Sequence, residues 1–288
     1  MCNVTAERRI SIRETRAVPV RIFVSSASNW QRLKRSRSFR SQLPRSLQLP
    51  VIPVPEAFSS ESLEFLRLAG KQKNEEWLSR NDVKYQRLIR APLLALAESV
   101  TYELAGEARG YHFPLRGIGR IKKSVNKVAP GGAHFKDWVS YIATRPSRTR
   151  FEKNPLLFFG LLPNDPQWNG VVVAGGLYMT SSVQARRVRQ AIAGNAEPFK
   201  DLFRDSAFEK RFTHGFNPMM KATRCPRGFD PEHPDIEWIR LNTFFVSRIL
   251  TPKEFSSPGL AQNVVNDFRQ LLRLNELLQK AVDGNWSP

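Results

Sequence analysis

The order in which two hydrophobic periodicities follow one another constrains this chain most. From Phe58 to Leu104 the apolar residues recur at helical spacing. Ser59 or Ser60 can cap a first helix carrying Leu63, Phe65, Leu66 and Leu68, ended by Gly70. A second stretch after Asn74 carries Trp77, Leu78, Val83, Tyr85, Leu88 and Ile89. Pro92 opens a third, with Leu93, Leu96, Val100 and Leu104 on one face. From His112 the signal changes to short apolar runs separated by turn residues such as Pro163-Asn164-Asp165-Pro166. Strands are expected at Phe113–Lys123, Trp138–Ala143, Leu156–Leu162, Val171–Leu177 and Thr243–Ser247. Helices Val183–Ala193 and Ala196–Arg204 separate the last two, and a long helix runs from Leu260 to about Ala281. Helices grouped before and after a run of strands, with no regular βαβ alternation, specify an α+β fold. It is a mainly antiparallel sheet packed with N-terminal and C-terminal helices.

Residues 1–50 differ from the rest. They hold 11 Lys/Arg against two Glu, which is nine of the net charge of +19. Ser and Arg alternate from Ser36 to Ser41, and no apolar periodicity persists. Such a segment buries too little surface to offset its ordering entropy. The expected organisation is therefore a disordered basic extension and Pro-rich linker over residues 1–55, with Pro50, Pro53 and Pro55 as the linker, then one domain over 56–285. The same composition describes an organelle transit peptide, or a start assigned too far upstream. The two cysteines, Cys2 and Cys225, give no disulfide framework and suit a reducing, cytoplasmic setting. No apolar run approaches the ~20 residues that span a bilayer, so no membrane partner is expected.

The excess positive charge favours polyanionic partners. Its densest cluster in the domain is Arg116 to Lys127, with Arg116, Arg120, Lys122, Lys123 and Lys127 and no acid. Along a strand Arg116, Arg120 and Lys122 share parity, and Gly117 and Gly119 permit close backbone approach to a ligand. Convergent Arg and Lys donors suit phosphate or carboxylate, whereas salt bridges to neighbouring acids are the purely structural alternative. Gly117-Ile118-Gly119 lacks the third glycine and following helix of a dinucleotide fingerprint, and no Walker motif is present, so no cofactor is expected. His112, His134, His214 and His233 are scattered, without metal-ligand spacing. Gly175-Gly176 leads from an apolar strand toward a helix N-terminus, which suits close packing or an anion.

The segment Arg224 to Arg248 combines two proline breaks, a Gly228-Phe229-Asp230 turn, a His233-Pro234 step, a short helix and a strand. With Pro226, Arg227, Gly228, Phe229, Asp230, His233 and Pro234 it resembles the Pro-Arg/Lys-Gly-(Phe/Tyr)-Asp-x-x-His-Pro segment of the domain of unknown function 2461 family. Asn74, Trp77 and Tyr85 match the helical start of that family, and Gly176-Leu177-Tyr178-Met179 its Gly-Leu-Tyr-Met strand. The resemblance extends to a basic signature, roughly Arg-x-x-Arg-Asp-x-Arg-Phe followed by Asp/Asn-Lys. Arg120 and Lys123 align with its second and third Arg, and Asn126-Lys127 with its Asp/Asn-Lys pair. Gly117 stands where the family has its first Arg and Ile121 where it has the Asp, so a role for that Asp is missing here. The family has no assigned biochemical role, and the resemblance implies none.

Three functions follow from these residues. The first is a pocket, enzymatic or not, for a small anionic or phosphorylated ligand, using Arg116, Arg120, Lys123, Lys127, Arg227 and His233. The second is a nucleic-acid-binding module, and the third a structural or partner-binding protein without catalysis. A concave cluster of these side chains favours the first; a flat basic stripe with exposed aromatics favours the second.

Overall fold

A computed structural model describes residues 57–147, 152–212 and 215–286. The basic extension and linker expected over residues 1–55, and His214, lie outside the described residues. The described chain is an α+β fold with a four-stranded antiparallel sheet in the order β1-β2-β3-β4. These strands are β1 Val139–Thr144, β2 Leu156–Leu162, β3 Gly170–Leu177 and β4 Phe244–Leu250.

Helical segments precede the sheet. Helix α1, Ser60–Ala69, starts at a capping box between Ser59 and Ser62 and ends at Gly70. A Cβ on Gly70 would lie 2.5 Å from that of Asp137, so the glycine lets the helix end meet the segment entering β1. Two short helices follow, α2 Trp77–Arg80 and α3 Asp82–Tyr85. A π-turn over Gln86–Arg90 then runs directly into α4, Ala91–Leu104. Pro92 is the second residue of α4 and follows the π-turn directly, so the helical ladder is interrupted where the wider turn gives way to the α-helix.

Between β3 and β4 lie α5 Ser182–Gly194, α6 Glu197–Arg204, α7 Ser206–Glu209 and α8 Ile236–Ile239. After β4 come α9 Pro252–Phe255 and α10 Leu260–Asp283, which stops at Gly284 in the left-handed conformation. Helix α10 lies across one face of the sheet. Gly175 of β3 leaves room for Leu271, whose side chain would stand 2.9 Å from an added Cβ. On the same face Arg248 of β4 meets Asp267 of α10.

The main core fills this side, with Phe159, Val173, Phe268 and Leu271 fully buried. At its far end Phe203, Phe216 and Trp238 form edge-to-face pairs with centroids 5.0–5.4 Å apart. The opposite face carries a separate small cluster, Leu162, Val172 and Ala174, closed over by Phe158 and Trp168. No helix among the described residues is long and apolar enough to cross a membrane.

One expected strand is absent. Phe113–Lys123 is an irregular segment with turns at 116–119, and Lys122 makes only an isolated bridge to Phe135. Gly117 and Gly119 adopt φ of 72° and 74°, which reverses the chain where a strand would continue.

Candidate anion-binding site

The Gly-rich segment after α4 folds back as a two-armed corner. The Lys123 N–H donates to His134 O at 2.9 Å and the Lys136 N–H to Ile121 O at 2.8 Å, tying the arms together. The corner is pinned to the helical layer from below. Tyr85 donates its hydroxyl to Gly119 O at 3.0 Å, and the His134 N–H donates to Gln72 O at 2.9 Å. A Cβ on Gly119 would stand 3.3 Å from the Arg90 Cα. The close approach this glycine permits is therefore to the π-turn, not to a ligand.

Two basic side chains of the corner meet Glu75. Glu75 is shared by Lys122, at 3.3 Å, and His134, at 3.2 Å. Lys123 spends its ammonium on Ala133 O at 3.0 Å. Among the described residues, Arg116, Arg120, Lys127 and Lys136 stand within ion-pair distance of no carboxylate. Arg116, Arg120 and Lys127 are exposed, and Lys136 is half-buried. Burial pushes the Lys136 ammonium below the ordinary lysine range, and the charges of Arg120 and Lys127 push it further the same way. Its Nζ stands over the Trp138 ring, 4.2 Å from the ring centre. An oxyanion placed here would meet several donors and relieve their mutual repulsion.

Arg227 and His233 lie in the segment that leads into α8. Arg227 is exposed in the turn around Gly228, whose φ is 87°. His233 uses both ring nitrogens within the protein. Nδ1 accepts the Asp235 N–H at 3.0 Å, which leaves Nε2 to donate to Ala193 O of α5 at 3.2 Å. That histidine ties the corner before α8 to the end of α5. The hydrogen bonds of His233 and the ladder of the Arg120–Lys136 corner share no residue.

A cleft of about 230 Å³ lies elsewhere, lined by Lys210, Arg211, Arg248, Glu254 and Asn263. Behind it Asp267 is fully buried and accepts from Arg211 Nη1 at 2.5 Å and from Arg248 Nη2 at 2.7 Å. Burial raises the Asp267 carboxyl above its ordinary value, and the two guanidinium groups oppose that shift. Arg248 also donates to Glu254 at 2.7 Å, so its guanidinium is spent on two acids. This network joins β4, α9 and α10 and reads as internal bracing. Sequence reasoning missed it, although an acid one residue before Phe268 on an apolar helix face is its visible signal.

The model of the conserved hypothetical protein family DUF2461 matches residues 61–276, three-quarters of the chain. The chain belongs to this family. The match takes in the basic corner, the sheet, the His233 turn and most of α10 of this DUF2461 protein. No characterised protein and no solved structure shows significant similarity to it.

Proposed function

We propose that this DUF2461 domain binds a phosphorylated, anionic ligand at the corner formed by Arg116, Arg120, Lys127 and Lys136. One observation carries the reading: the half-buried Lys136 ammonium feels the charges of Arg120 and Lys127, and none of the three has a carboxylate within ion-pair distance among the described residues; Arg116 lies in the exposed turn just before Arg120. A desolvated ammonium flanked by two like charges lowers stability unless an anion shares the site. Salt bridging accounts for Lys122 alone, through Glu75. The reading is centred on the corner residues, and His233, whose two ring nitrogens already bond within the protein, is given no part in it.

The site binds phosphate by charge and hydrogen bonding, and no catalytic step is assigned to it. The reducing character read from Cys2 and Cys225 supports a cytoplasmic setting.

The test is thermal unfolding of the full chain with phosphate, pyrophosphate, nucleotides and sugar phosphates, each matched in ionic strength with chloride. A ligand bound only by the folded state raises the melting temperature with concentration. The rise is expected for phosphorylated ligands and is expected to shrink in Lys136→Gln. Equal responses to chloride and to every phosphate would remove the site.

A further inference from the structure

The phosphate reading of the corner leaves the face of the sheet beside it unexplained. Alternation in β1 turns Val139, Tyr141 and Ala143 into the core, so Trp138 and Ile142 stand on the outer side. In β2 the same rule puts Phe158 outward, opposite Ile142 in the register. Helix α10 occupies only the inner face, through Leu271 and Asp267.

Outside, apolar side chains meet solvent: Trp138 is 41% exposed, Ile142 38% and Ile249 50%. Phe158 lies flat on this surface. Its ring covers Gly160, where a Cβ would come within 2.6 Å of Phe158 Cζ. Between Trp138 and Ile142 at the β1 edge and Ile249 on β4, Phe158 and Trp168 cover the face, so the aromatic side chains are what this surface offers a partner.

The charge beside it selects the partner. Lys136 stands over the Trp138 ring at 4.2 Å, and Arg120 and Lys127 act electrostatically on the same ammonium. The Phe158 ring leans along β2 over Gly160, the partner of Ser140, and so toward the Trp138 end of the sheet. A platform of aromatic rings on an open antiparallel sheet, edged by cations that track a backbone, is the arrangement that holds single-stranded nucleic acid. A protein partner would be expected to answer these cations with acidic side chains, whereas a strand brings aromatic bases and phosphates together.

We propose that the outer sheet face binds single-stranded nucleic acid. Bases stack on Trp138 and Phe158, and phosphates lie on Arg120, Lys127 and Lys136. The inference rests on the phosphate reading of the corner and adds the bases to it.

The experiment measures binding of a fluorescent oligouridine and of pyrophosphate to the full chain and to Trp138→Ala, Trp138→Phe and Lys136→Gln, at fixed salt. Trp138 is exposed, so its replacement leaves the core intact, and the melting temperature of each variant checks this. Trp138→Ala is expected to weaken oligouridine binding about tenfold or more. Trp138→Phe restores most of it, and pyrophosphate binding falls by much less than oligouridine binding in Trp138→Ala. Lys136→Gln weakens both ligands.

Oligouridine affinity that does not change in Trp138→Ala overturns the proposal while leaving the phosphate site standing. So does uridine monophosphate binding as tightly as the oligomer, which marks a mononucleotide site. Pyrophosphate that fails to bind the unmodified protein removes the phosphate reading and this proposal with it.

Discussion

The Lys136 ammonium stands 4.2 Å from the centre of the Trp138 ring, and no carboxylate of the described residues pairs with it. Burial, Arg120 and Lys127 all push its pKa below the lysine value of 10.5. Between the lowered value and 10.5 the unfolded chain binds more protons at this site than the folded one. Stability from Lys136 therefore rises as pH climbs through that window, because the cost of burying the charge is relieved.

Ligand binding follows the opposite sign. A bound phosphate favours the charged lysine, so affinity falls as pH rises through the lowered value. The measurement is an NMR titration of the Lys136 side chain. Its midpoint is expected below 10.5 without ligand and higher with pyrophosphate present. A free-protein midpoint at or above 10.5 would contradict the burial argument.

Asp267 is buried between Arg211 and Arg248. Replacing it by asparagine keeps the shape and removes the charge that both guanidinium groups answer. Loss of one partner from a buried network costs about 3–5 kcal/mol. Urea unfolding of Asp267→Asn is expected to show a loss of that size, and a change well under 1 kcal/mol would show that the network braces nothing.

Gly175 and Gly176 are adjacent in β3 but differ in what surrounds them. A Cβ on Gly175 meets Leu271 Cβ and both its methyls at 2.9 Å, so α10 would have to move slightly off the sheet. At Gly176 it meets the backbone of Phe244 and Phe245, and φ there is 122°. Gly176→Ala is therefore expected to cost more than Gly175→Ala, which falls within the ~1–3 kcal/mol typical of overpacking. Equal melting temperatures for the two variants would show that the backbone contact yields easily.

His233→Ala removes hydrogen bonds to Ala193 O and from the Asp235 N–H. Each is worth roughly 1 kcal/mol, so the melting temperature should fall. Pyrophosphate binding should not change, since both ring nitrogens already work inside the protein. Weakened binding at an unchanged melting temperature would return this histidine to the site.

Much of the fold was legible because its signals are local. Leu156–Leu162 is an apolar run closed by Pro163, and the strand has those same bounds. Ser181 begins α5 with a capping box to Gln184, and Gly284 ends α10. The expected strand at Phe113–Lys123 failed because positive φ at Gly117 and Gly119 broke the alternation of its basic residues.

The site was legible as a concentration of charge and not as a geometry. Lys123 and Lys122 looked equivalent to Arg120, yet tertiary partners, Ala133 O and Glu75, occupy them. Trp138 stands at the head of the strand expected over Trp138–Ala143 and Lys136 carries no signal of its own, because only the fold sets one over the other. Pairings across 56 residues, as between Arg211 and Asp267, leave no local pattern beyond the odd acid on an apolar face.

The most direct measurement of the central claim is isothermal titration calorimetry of pyrophosphate into the full chain, beside Lys136→Gln and the double variant Arg120→Gln/Lys127→Gln. Saturable binding to the unmodified protein is expected, weakened about tenfold or more in Lys136→Gln, the scale of one charged hydrogen bond. A further loss is expected in the double variant. Unchanged affinity in all three proteins, or no binding to any of them, would contradict the account.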